Sequence, residues 1–248
     1  MKKLLCLALA VLILSSIGAF AVDEPLLTDP ESRYDELSEV SDGSEELIFL
    51  VLDMMNDEET LVAEHGNVRI SMIYYGENSG FRTDVILYNT EYGRAEMMEV
   101  YAFDSLYAKM LVTPSGHLYN WDASGAFDST ESTVTQKTFD QTYEGFIFPF
   151  SGISMLRGVR QSEEDWCYFL VKGSDEGYLY EYVVSTNAMV LDGLREYVLD
   201  PSDGKYHLQL VTKVTYGDAQ PLTSEELALV REAAQGSKKA AEGSATPA

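Results

Sequence analysis

The chain has 248 residues, a mass of 27.6 kDa and 46% hydrophobic residues, enough apolar material for a core and too much for a wholly disordered protein. Against 17 basic residues stand 41 acidic ones, a net charge of −24, which excludes a nucleic-acid binder because phosphate neutralisation needs a Lys/Arg surface. The length admits one β-rich domain or two small ones.

The first 21 residues read as an export signal. Lys2 and Lys3 form a positive start, residues 4–17 an apolar stretch, and Ala19-Phe20-Ala21 a small-x-small cleavage site. A membrane anchor is the competing reading, but the apolar stretch falls short of the ~20 residues that cross a bilayer. Lipid attachment needs a cysteine after that stretch, and Cys6 precedes most of it. Removing the signal leaves a net charge of −26 and a single cysteine, Cys167, so no intramolecular disulfide is available. Cys167 sits in Trp166-Cys167-Tyr168-Phe169-Leu170, the setting of a buried, inert thiol. An exported destination follows: periplasmic, extracytoplasmic or secreted, with no transmembrane span after cleavage.

Residues 22–59 carry 14 acids and one base, Arg33, which is half the charge of the processed chain. Residues 22–43 read as an acidic, solvated linker, with a cation- or partner-binding arm as the alternative. Asp42 or Ser44 then caps a predicted helix over 45–55, where Leu47, Leu50, Val51, Met54 and Met55 follow helical spacing. A strand over 47–52 is the other possibility.

From Val62 onward the pattern becomes β. Val68, Ile70, Met72 and Tyr74 alternate with Asn67, Arg69, Ser71 and Ile73, the period of a half-buried strand. Turn markers at Gly80, Gly93, Asp104 and Gly116 stand 13, 11 and 12 residues apart, which predicts an antiparallel meander with strands at 81–88, 94–103, 107–113 and 117–121. Residues 123–164 break the pattern, and Pro149 interrupts the aromatic run Gly145-Phe146-Ile147-Phe148-Pro149-Phe150, so a loop or short helix is expected. Strands return at 166–171, 178–184, 189–199 and 206–216, joined by turns at 173–177 and 200–204.

In the last strand Tyr206, Leu208, Leu210, Val214 and Tyr216 are expected on one face, with Thr212 its only polar member, and the opposite face in water. Thr223-Ser224-Glu225-Glu226 matches a capping box and opens a helix expected to end near Gln235. A disordered tail is expected over 236–248, leaving one domain over 44–235.

This order of elements resembles the LolA-like superfamily of bacterial envelope proteins. The likeness lies in the apolar segment at 45–55, the meander through Trp121, the irregular aromatic stretch, and the longer returning strands that end in Val214-Thr215-Tyr216-Gly217. The segments Met110-Leu111-Val112-Thr113-Pro114-Ser115-Gly116-His117-Leu118-Tyr119-Asn120-Trp121-Asp122 and Tyr178-Leu179-Tyr180-Glu181-Tyr182-Val183-Val184 look most like it. The resemblance spans roughly 45–217, rests on element order and turn spacing, and transfers no binding residue. It implies an α+β fold: a curved antiparallel β-sheet, a half-barrel of about nine to eleven strands, with helices packed on the concave face. Such proteins carry lipoprotein acyl chains, bind lipids, or regulate the cell envelope.

Candidate chemistry is sparse. His65, His117 and His207 are not clustered with cysteine or one another, so no zinc site is expected. Gly173-Ser174-Asp175-Glu176-Gly177 places its serine one position too early for a nucleophile elbow, and no P-loop or Gly-x-Gly-x-x-Gly run occurs. Asp200 and Asp203 read as turn formers rather than calcium ligands. No catalytic residue, metal or cofactor is assigned.

The aromatic content, 16 Tyr and 10 Phe among 248 residues, suits either sheet packing or a cavity lined by apolar strand faces. The candidate lining is Val68, Ile70, Met72, Tyr74, Leu208, Leu210, Val214 and Tyr216, with Leu50 and Met54 from the helix above. The Met54-Met55 and Met97-Met98 pairs would give it adaptable walls. The expected function is non-enzymatic binding of a lipid, acyl chain or other apolar ligand. The alternative is a protein-docking module of the envelope with a filled core, and a hydrolase without a recognisable motif is a third class.

Overall fold

Alternation of side chains decides most of the architecture. The computed structural model describes residues 58–121, 124, 127–128, 153–160, 166–173, 177–185, 190–217 and 220–244. The expected signal at 1–21, the acidic linker at 22–43, the apolar helix at 45–55 with Leu50 and Met54, and the aromatic run at 145–150 lie outside the described residues.

Helix α1 (Glu58–His65) leads into strands β1 (Val68–Tyr74), β2 (Phe81–Thr90), β3 (Gly93–Ala102), β4 (Ser105–Val112), β5 (Leu118–Trp121) and β6 (Phe127–Asp128). Then follow β7 (Ile153–Arg160), β8 (Trp166–Gly173), β9 (Tyr178–Ser185), β10 (Val190–Asp200), β11 (Lys205–Tyr216) and helix α2 (Ser224–Ser244). Helix α1 covers Val62 to His65, where β pattern was expected to begin. Strand β7 was not expected: Ile153 and Met155 keep the period of two, but Gly158 breaks it within a stretch rich in Ser and acids.

One antiparallel sheet contains all eleven strands in the order β6-β5-β4-β3-β2-β1-β11-β10-β9-β8-β7. Two meanders meet where the first strand pairs with the last, Val68 opposite Tyr216 and Ile70 opposite Val214. The sheet is curved and not closed, with β6 and β7 at its edges. Short turns make each meander local. At the β3–β4 hairpin Phe103 and Asp104 both take left-handed φ, 49° and 64°. The Phe103 ring lies over Gly80, where a Cβ would come within 2.6 Å of it, so a bare residue is needed there.

Cross-strand register sorts the side chains onto two faces. On face one, Val68, Ile70, Met72, Val85, Leu87, Met98, Tyr182, Val184, Leu191, Leu194 and Val214 form a buried cluster with Leu61 and Val62 of α1. Burying each such side chain contributes about 1.5–3 kcal/mol. On face two, Ile86, Tyr88, Ala95, Met97 and Leu111 pack with Val230 of α2, flanked by Leu222 and Leu229. The two described helices thus lie on opposite faces of the sheet.

Cover on both sides explains why Asp84 to Tyr88 and Ala95 to Met98 are buried without interruption, and Glu181 to Ser185 are buried likewise. The expected one-wet-face sheet is therefore replaced by a centre buried on both faces, and the run Val85-Ile86-Leu87-Tyr88 is the sequence mark of it.

Bulges correct the expected face of β11. Glu196 pairs with Leu210 but Tyr197 pairs with Leu208, so Gln209 is an extra residue and the alternation flips there. Tyr206 and Leu208 consequently pack on face two with Leu179 and Tyr197, apart from Leu210, Val214 and Tyr216 on face one. Helix α2 also runs to Ser244, beyond the expected end at Gln235 and into the tail expected to be disordered. A single Gly236 costs only about 1 kcal/mol in a helix, and Lys238-Lys239-Ala240-Ala241-Glu242 are good helix formers.

Candidate functional site

Face one holds most of the residues singled out as a cavity lining. Val68, Ile70, Met72 and Val214 are buried in its cluster, and Tyr74, Leu210 and Tyr216 pack partly buried against it. Leu208 belongs to the separate cluster on face two, and Leu50 and Met54 are outside the described residues. Consecutive Met97 and Met98 point to opposite faces, so only Met98 joins this lining. The Tyr216 hydroxyl donates to the Leu191 carbonyl at 2.6 Å, a bond that fixes its ring against β10.

Exposure is graded along face one. On β9 the rings of Tyr178 and Tyr180 stack at 6.0 Å, and Tyr180 meets Tyr182 at 6.3 Å. Tyr178 is 36% exposed, Tyr180 partly buried and Tyr182 fully buried, so this ladder runs from solvent into the core. Burial pushes the Tyr182 hydroxyl well above its ordinary range, with Tyr180 and Glu196 adding to the effect.

Glu196 lies at the half-buried step of this gradient, opposite Tyr180 on β9 and Leu210 on β11. Burial raises its carboxyl above the ordinary value. One step inward, Thr212 is fully buried and its Oγ1 has no hydrogen-bond partner among the described residues. The alternation identified Thr212 as the polar intruder of this face. Glu196 carried no such mark, because only the register with Leu210 shows which face it occupies.

Face two treats its charges differently. Arg69 Nη1 meets Asp84 Oδ2 at 3.0 Å, and Arg82 Nε approaches Asp84 Oδ1 at 3.4 Å with its guanidinium 4.1 Å above the Tyr101 ring. The Tyr101 hydroxyl donates to Glu99 at 2.8 Å, and Lys109 joins Glu99 to Glu226 of α2. Glu226 Oε2 accepts from the Thr223 backbone N–H at 2.7 Å while Thr223 Oγ1 accepts from the Glu226 N–H, which is the expected capping box. Burial works to raise the Glu226 carboxyl, but the bonds from Lys109 and Thr223 outweigh it and hold it below the ordinary range. Further along, Arg195 Nη1 donates to Glu181 Oε2 at 2.8 Å within the buried sheet. Sequence reading missed this pair because neither residue marks its partner.

Asp200, Asp203 and His207 gather at the β10–β11 turn with their ligating atoms within 4.8 Å. Their described partners are local. Asp200 accepts from the Ser202 N–H at 2.7 Å, Asp203 from the Lys205 N–H at 3.0 Å, and His207 Nε2 meets Asp203 at 2.9 Å. The Ser202 bonds hold the Asp200 carboxyl low, and His207 does the same for Asp203. Such bonds shape a hairpin turn, the role read for both aspartates. His65 closes α1 against the Tyr216 ring at 5.2 Å, and His117 packs beside Ser115 in the β4–β5 turn.

No helix among the described residues is long and apolar enough to cross a membrane. Neither the known family models nor the curated proteins match this chain.

Proposed function

We propose that the protein is an exported, non-enzymatic member of the envelope or secreted proteins. It binds an acyl chain or similar apolar ligand on face one, in the half-barrel manner that its element order resembles. In this reading face one is the concave face of a sheet of nine to eleven strands, and α1 covers it. The observation that carries the reading is the graded face: Val68, Ile70, Met72 and Val214 are buried inside, and Tyr180, Tyr74, Leu210 and Glu196 stand half-buried at its outer step. Ligand sites combine apolar walls with a few convergent polar groups, and Glu196 and Thr212 supply those here.

A second reading is a docking module of the cell envelope whose core is filled by its own side chains. It draws on the complete burial of Tyr182, Val184, Leu191 and Leu194, which is the mark of close packing.

Native mass spectrometry of residues 22–248 from a bacterial host, followed by organic extraction, separates the two. Near-stoichiometric lipid or fatty acid is the expected result. A clean apo mass that added lipids leave unchanged would sink the carrier reading and favour docking.

A further inference from the structure

The polar groups of face one constrain the head group of any amphiphile that binds there. The row through Glu196 contains Tyr180, Leu210 and Tyr74, and the next row inward contains Tyr182, Leu194, Thr212, Met72 and Thr83. Neither row has a basic residue. Outward, His207 lies opposite Val198 but is engaged by Asp203, and Lys205 sits beyond it opposite Asp200. Arg94 and His65 lie at the far end of the face, where Arg94 pairs with Asn89 and His65 ends α1. Among the described residues, a half-buried carboxyl and a buried hydroxyl therefore share the outer part of this face with no cation beside them.

The consequence is electrostatic. A carboxylate or phosphate head placed there meets a like charge in a poorly solvated setting and finds no counter-ion. An ammonium head does the reverse. It pairs with Glu196 through a charge-assisted bond, and Thr212 Oγ1 and the tyrosine hydroxyls can accept from it. We infer that face one takes a single-chain amphiphile with a primary ammonium head seated at Glu196 and its alkyl chain laid against the half-buried Tyr180, Leu210 and Tyr74. This inference rests on the apolar-ligand reading above and names the ligand class.

The test is calorimetric titration of residues 22–248 with dodecylamine, dodecanol and dodecanoate, each below its micelle concentration at neutral pH. Dodecylamine is expected to bind at least about tenfold more tightly than dodecanoate, the scale of one charge-assisted hydrogen bond. Because the chain is strongly acidic, general attraction of amines must be separated from a site. Glu196→Gln, which keeps the side-chain shape, should bring amine and dodecanoate to within about threefold of one another. Dodecanoate binding as tightly as the amine overturns the head-group assignment alone. So does an amine preference that survives Glu196→Gln, which would assign it to surface charge. Binding of none of the three overturns the apolar-ligand reading and the assignment together.

Discussion

The buried pair of β9 and β10 offers the sharpest test of how the sheet is held together. Glu181 Oε2 accepts from Arg195 Nη1 at 2.8 Å and from the Tyr197 hydroxyl at 3.4 Å, and the two charged side chains are 6% and 1% exposed. Replacing Glu181 with Leu keeps the strand and the volume but leaves a guanidinium buried without that counter-ion. Removing one member of a buried pair costs about 3–5 kcal/mol. Set against a typical stability of about 5–15 kcal/mol, that is a large fraction of the total. At roughly 2–4 °C per kcal/mol for a body of this size, the melting temperature should fall by about 6–20 °C.

Urea and thermal unfolding followed by circular dichroism read this out. The double variant Glu181→Leu/Arg195→Met should recover most of the loss, because no charge is then stranded. A single-variant cost below about 1 kcal/mol would refute the reasoning, since values that small belong to solvent-exposed pairs. A double variant less stable than the single would refute it as well.

Glu196→Gln should stabilise the protein at neutral pH by about 1 kcal/mol, since a desolvated charge is removed. The sign follows from the raised carboxyl: the native state holds its proton to higher pH than the unfolded chain, so Glu196 lowers stability as pH rises through and above the ordinary value of 4.5. The gain should vanish in acid, and a variant equally stabilised at all pH would contradict this origin. Thr223→Ala should cost about 1 kcal/mol and speed hydrogen exchange in the first turns of α2. Glu226 has the opposite sign to Glu196, so α2 docking should hold above 4.5 and weaken as pH falls through its lowered value; exchange that is indifferent to acid would count against the capping network. Replacing Phe103-Asp104 with Asn-Gly should raise stability by about 1 kcal/mol by relieving two left-handed residues, measured as the urea midpoint; a lowered midpoint would show that the ring packed on Gly80 contributes more than the strain costs.

The first meander was legible because each of its strands obeys one period and each turn has its marker. Val68 to Tyr74 alternates cleanly, and Gly80, Gly93 and Asp104 fall at hairpin ends. Strand β7 was not legible, because Gly158 and the surrounding polar residues dilute its alternation. The face of Tyr206 and Leu208 was misread for a different reason. A bulge is a property of two strands, and nothing in β11 alone says that Gln209 is the unpaired residue. Burial of both faces is readable in principle from the unbroken run Val85 to Tyr88, whereas the alternation of β11 alone points to one wet face. Thr212 was seen as a polar residue on an apolar face, whereas Glu196 needed the register that sets it opposite Leu210 and Tyr180.

The contrast between the two faces bears on function more than either face alone. On face two Asp84, Glu99 and Glu226 each meet a lysine or arginine, and the network ties α2 to the sheet. Among the described residues the same sheet leaves Glu196 without a cation and Thr212 Oγ1 without a partner on face one, although each costs stability there. A leucine or glutamine at 196 and a valine at 212 would serve packing at lower cost. A filled docking module gains nothing from a desolvated carboxyl on the inner side of its sheet, since its partner would touch the outside. A protein that receives a ligand from solvent does gain, because the missing partner arrives with the ligand and the cost becomes part of its selectivity. The Glu196→Gln variant therefore couples both questions: a more stable protein that has lost amine selectivity is the outcome that a binding role requires and a packing role does not.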